Sequence, residues 1–153
     1  MITIRNYNGT IDELVKNTGN MHYDVTSLVL KKIADNIVNK AYITNNSKLR
    51  DISNYIYETK EHLDVAWNKY CKNKTDCSRH SGIILGFNGT YDELGQDISK
   101  ASEKDIIILM DKFGDDFLRQ ADADWHRGEK GRKKLATELY AAANCMYKGR
   151  MET

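Results

Sequence analysis

The stretch richest in reactive side chains is Asp122-Ala123-Asp124-Trp125-His126-Arg127-Gly128-Glu129. Asp122 and His126 stand one helical turn apart, so on a helix they share a face. A carboxylate so placed can orient an imidazole and raise its pKa, which is what a general base needs. Arg119, seven residues before His126, falls on roughly the same side, and Arg119 and His126 are therefore the candidate catalytic pair. The structural alternative is a solvated helix end leading into a turn at Gly128. A second cluster, Cys71-x5-Cys77-x2-His80, holds three residue types that bind zinc. Structural zinc sites favour cysteines two to four apart and need a fourth ligand. Here the first gap is too long, and the fourth ligand would have to be His22, His62 or Cys145. Free thiols and an imidazole on an exposed loop are expected, with no metal and no cofactor.

Charge is segregated toward the C-terminus. From Glu103 to Asp124 acids predominate, whereas Arg127, Lys130, Arg132, Lys133, Lys134, Lys148 and Arg150 face only Glu129 and Glu138. Bases from Lys130 to Lys134 fall at the start of a helix, where cations oppose the macrodipole. An anion there would gain from both the charges and the free amides. Arg127, Lys130, Arg132, Lys133 and Lys134 are accordingly the candidate binding residues, for a phosphate group or an acidic partner surface. The alternative is that this turn neutralises the acidic helix before it. An arginine followed by a histidine at the Arg119–His126 distance, in an all-helical chain, also resembles the HEPN ribonucleases. That resemblance implies RNA cleavage by those two residues, with Gln120 standing where such enzymes carry a polar residue after the arginine.

These groups must be positioned by a repeated unit. Residues 7–14, Tyr-Asn-Gly-Thr-Ile-Asp-Glu-Leu, recur at 87–94 as Phe-Asn-Gly-Thr-Tyr-Asp-Glu-Leu. The offset persists, with Leu28 opposite Ile108, Val29 opposite Leu109, Ile33 opposite Phe113 and Ile37 opposite Phe117. Asp12 and Glu13 could do acid–base chemistry, but first-turn acids favour the helix dipole, and capping explains the whole motif. Each copy predicts a short β-strand ending in an Asn-Gly turn, then three helices. Thr10 and Thr90 are the expected N-caps, with Glu13 and Glu93 completing capping boxes, and Gly19 is the expected left-handed C′ residue. The second helices are expected from about Asp24 to Tyr42 and from Ser102, and the third from Lys48 to Cys71 and from Glu129 to Tyr147. Lys72 to Ser81 reads as the linker. The expected architecture is mainly α: two tandem pseudo-symmetric units, 1–78 and 79–153, sharing one core, with a two-stranded ribbon between them as an option.

Composition narrows the function classes. A formal net charge of +1 argues against both a strongly basic nucleic-acid binder and an acidic DNA mimic. The longest apolar run, Ile106 to Met110, is far short of a membrane span. The N-terminus carries no basic segment followed by an apolar one, so secretion is not expected and a cytoplasmic location is. Three cysteines, an odd number, fit reduced thiols. Proline is absent while Asn, Lys, Ile and Tyr abound, as in an AT-rich coding sequence from a low-GC bacterium, its phage or a mobile element. The leading expectation is a non-enzymatic regulator, inhibitor or adaptor docking on a larger protein, with a homodimer an option. A phosphate or nucleic-acid module using the basic turn is the second, and a helical ribonuclease using Arg119 and His126 the third.

Overall fold

Thr10 turns the chain into its first helix. Its backbone is extended (φ −85°, ψ 161°), and its hydroxyl accepts the Glu13 amide at 3.1 Å, which starts α1 (Ile11–Gly19). In this computed structural model, which describes residues 2–71, 84–126 and 130–152, Thr90 repeats the cap on the Glu93 amide to open α4 (Tyr91–Ser99). The Glu93 carboxylate then accepts the Thr90 amide at 3.3 Å, closing a full capping box. At α1 only the threonine half of the box forms among the described residues.

The long helices are α2 (Tyr23–Thr44), α3 (Ser47–Cys71), α5 (Glu103–His126) and α6 (Lys130–Tyr147), the last followed by a 3-10 turn, Lys148–Glu152. Two asparagines fold α3 back on α2. Asn45 takes a left-handed conformation (φ 52°), and the Asn46 amide reaches the Ala41 carbonyl at 2.9 Å, which ends α2. The Asn46 carboxamide oxygen then accepts the Lys48 and Leu49 amides at 3.1 and 3.2 Å, capping α3. Ser102 opens α5 by accepting the Asp105 amide at 3.2 Å.

Helix α2 packs on α3, α5 on α6, and α3 on α6. The short helices cross over: α1 lies on α5 and α4 on α2. The helix order is the same in both halves, and exchanging the halves maps this set of packed pairs onto itself. One apolar core results, drawing Leu14 from α1, Ile37 from α2, Ile56 and Leu63 from α3, Leu94 and Ile98 from α4, Phe117 from α5 and Leu139 from α6, all fully buried. Two glycines permit the crossing. A Cβ on Gly95 would stand 2.5 Å from the Lys32 carbonyl oxygen, and one on Gly19 would stand 1.8 Å from Asp116 Oδ2. Gly19 is thus not a left-handed C′ residue. It is the last residue of α1, and Asn20 after it stays right-handed (φ −79°, ψ −6°), because Gly19 is needed for close approach rather than for a reversal.

The expected strands are not found among the described residues. Tyr7 and Phe87 form a single antiparallel bridge, flanked by Asn88 N–H to Asn6 O at 3.0 Å and Asn8 N–H to Gly86 O at 3.5 Å. Left-handed backbone at Asn6 (φ 61°) and Gly86 (φ 83°) breaks each extended run one residue before the bridge, so no ribbon develops. The turn expected at the Asn-Gly pairs falls three residues earlier, at Arg5-Asn6 and Leu85-Gly86. Arg5 fastens this corner to α4: its amide and Nε donate to Asp97 at 3.0 and 2.9 Å. The whole of the expected linker, and with it the 78/79 junction between units, lies outside the described residues.

Tyrosine hydroxyls clip the third helices to the second ones. Tyr57 donates to Asp35 at 2.5 Å, Tyr140 to Asp122 and Tyr147 to Asp115. Burial, then the Asp115 hydrogen bond, push Tyr147 up to about 12. A tyrosine that holds its proton more tightly when folded adds stability that is whole below its unfolded value near 10 and is lost as pH rises from there to about 12. In an ultraviolet alkaline titration Tyr147 should therefore ionise well after an ordinary tyrosine, and Tyr147→Phe should flatten the loss of stability across that window. Gly95→Ala tests the helix crossing. It gains about 1 kcal/mol of helix propensity, yet the clash with the Lys32 carbonyl should outweigh that and lower the urea midpoint. Thr90→Ala should cost about 1 kcal/mol through the lost cap.

Candidate functional site

Helix α5 carries Arg119, Asp122, Trp125 and His126 toward the α5–α6 corner. Arg119 Nη2 binds Asp116 Oδ1 at 2.8 Å, and its side chain is otherwise exposed. It lines a cleft of about 410 Å³ with Asp12, Lys112, Asp115 and Asp116, and one of about 460 Å³ with His22, Trp67 and Gln120. The Gln120 amide spans Asp116 Oδ2 at 2.8 Å and the Gly19 carbonyl at 3.0 Å, so this residue ties α5 to the end of α1. His126 is the exposed last residue of α5, two turns and about 10 Å along the axis from Arg119. The expected Asp122–His126 pairing does not form: Asp122 accepts the Tyr140 hydroxyl, and no hydrogen bond joins it to His126 among the described residues. Asp122 is therefore not the group that orients this imidazole.

Of the five basic candidates, Arg127 lies outside the described residues, as do the side chains of Lys130 and Arg132, which open α6. Lys133 and Lys134 are exposed, and neither makes an ion pair among the described residues. The Lys133 ammonium stands 5.2 Å from the centroid of the Trp125 ring, a cation–π arrangement. Trp125 is 43% exposed and is steadied edge-on by Tyr140, with centroids 6.4 Å apart at 65°. The corner thus presents an indole face, a phenol and the Lys133 ammonium, with Lys134 exposed next to it in sequence. Reading the bases and the aromatics as separate lists misses this platform. The available signal was a tryptophan just before, and lysines just after, the segment Arg127-Gly128-Glu129.

Among the zinc candidates, Cys77 and His80 lie outside the described residues, as does the side chain of Cys71, which ends α3. The residues considered as a fourth ligand are occupied elsewhere. His62 Nδ1 meets Glu138 at 3.0 Å, His22 packs edge-on to Trp67 at 5.6 Å, and Cys145 is buried. No group of three metal-binding side chains occurs among the described residues. Burial holds the Cys145 thiol above its ordinary value, and the nearby Lys148 ammonium opposes this only in part. A Cys71→Ser, Cys77→Ser chain should therefore react slowly with a thiol-specific reagent at neutral pH until urea unfolds it. Fast labelling of the native chain would show Cys145 to be accessible.

The described part of the molecule is that of a small, mainly helical protein, in which no helix is long and apolar enough to cross a membrane. No protein-family model matches the chain, and no curated protein or solved structure matches it either.

Proposed function

We propose that this chain is a non-enzymatic interaction protein, of inhibitor or adaptor type, that docks through its α5–α6 corner onto an acidic face of a larger protein. The observation that carries the reading is the Trp125 platform. A half-exposed indole, braced by Tyr140 and flanked by Lys133, offers large contact area with few rotors left to freeze. Tryptophan and tyrosine are over-represented among residues that dominate binding energy. The lysines beside it would steer an acidic partner and fix its register. The repeated helix order and the exchange-symmetric packing further support two diverged copies of one unit, the second of which carries this platform.

The same corner favours a second reading, because an aromatic face among bases can stack an unpaired base of a single-stranded nucleic acid. The two separate in a pull-down from host lysate, with and without nuclease. Docking requires one protein recovered at stoichiometric yield after nuclease treatment, and loss of every partner on that treatment would promote the nucleic-acid reading. Trp125→Ala should weaken the recovered complex by at least about 2 kcal/mol. Lys133→Glu with Lys134→Glu should abolish it while changing fold stability by no more than about 0.5 kcal/mol per site. A ribonuclease using Arg119 and His126 would instead show RNA turnover that His126→Ala eliminates.

A further inference from the structure

Asp24 lies in the first turn of α2 and is 8% exposed, and both its carboxylate oxygens are buried without a hydrogen-bond partner. The α2 N-terminus gives it some positive potential, but a buried carboxylate is ordinarily retained only when paired and hydrogen-bonded. Beside it opens a cleft of about 570 Å³ between α2 and α3, lined by Ser27, Leu28, Lys31, Lys60, Asp64 and Trp67 as well as Asp24. Every other charge in that wall is matched. Lys31 binds Asp35 at 2.9 Å, Lys60 binds Asp64 at 2.6 Å, and the Ser27 hydroxyl donates to Asp64 at 2.5 Å. The cleft therefore lacks one positive charge with hydrogen-bond donors, beside Asp24.

We propose that this cleft binds a small organic cation, its ammonium or guanidinium group anchored by Asp24 and its flank resting near the Trp67 ring. An indole favours such a cation electrostatically, and the cleft volume falls in the range of small-molecule sites. A divalent metal fits poorly, since it needs several oxygen ligands and Asp64 is already engaged by Lys60 and Ser27. The Asp24 oxygens are nearly closed to solvent, so entry requires a side-chain rotation, to which the long Lys31 and Lys60 chains of the wall lend themselves. A free amine and a lysine side chain of a peptide present the same chemistry, and the probes distinguish them.

The full chain is titrated with 1,4-diaminobutane, with N-acetyl-lysine methylamide and, separately, with magnesium chloride, while amide and indole resonances are followed by NMR. Either amine should shift the Trp67 indole and the amides of the first turn of α2 saturably, leaving the Trp125 indole unmoved. Preference for the first probe marks a free amine, and preference for the second a peptide side chain. Asp24→Asn keeps the shape and removes the charge, and it should weaken binding by about tenfold or more. The proposal is overturned if wild type shows no saturable shift with either amine, if Asp24→Asn binds equally well, or if magnesium saturates the site and the amines do not.

Discussion

The contact on which the rest of the structure depends is the approach of α4 to the α2 backbone at Gly95. No side chain fits between Gly95 and the Lys32 carbonyl, so α4 can lie directly on the long helix of the opposite half. With α4 there, Leu94 and Ile98 enter the shared core, and Asp97 meets Arg5 from the other end of the chain. The reciprocal arrangement at α1 closes through Gly19, where Asp116 and Gln120 occupy the space a side chain would take. Without these crossings the apolar surface of α2 that α4 covers, and that of α5 that α1 covers, would be left to water, at roughly 25 cal/mol per Å² of exposed apolar surface.

The acidic character of α5 follows from the same architecture. Asp115 receives Tyr147, Asp122 receives Tyr140, and Asp116 receives Arg119 and Gln120. These carboxylates serve as acceptors that tie α5 to α6, through Tyr140 and Tyr147, and to the end of α1, through Gln120. Lys133 turns to an aromatic ring rather than to a carboxylate. Part of the segregated charge is paired across the fold, as where Arg150 Nε meets Asp111 Oδ1 of α5 at 3.1 Å.

Asp24 stands apart from this pattern. Other buried acids, such as Asp97 and Asp116, have their oxygens engaged by donors, whereas Asp24 has none. Leaving such a group unmatched is unfavourable to folding, and a protein that retains it bears a cost that bound ligand would offset. The Trp125 corner and this cleft draw on different elements, α5 with α6 for one and α2 with α3 for the other.

By itself the sequence determined the helices and their starts. Threonine caps, the apolar spacing from Val25 to Ala41 and from Ile106 to Phe117, and the recurring Asn-Gly-Thr motif act within one or two turns, so they can be read without knowing what packs where. The motif at 7–14 also recurs at 87–94, with aligned apolar positions after it, and that too is read without knowing the packing. The tertiary structure alone decided the rest. An extended run becomes a strand only if a partner lies alongside over several residues, and Asn6 and Gly86 reduced that pairing to one bridge. Asp122 could have oriented His126, but Tyr140, eighteen residues on, reached it instead. Trp125 of α5 and Lys133 of α6 meet although they lie on different helices, and Asp24 shares its cleft with residues of α3 far from it in sequence. Contacts of that kind depend on distances between elements, and no local spacing encodes them.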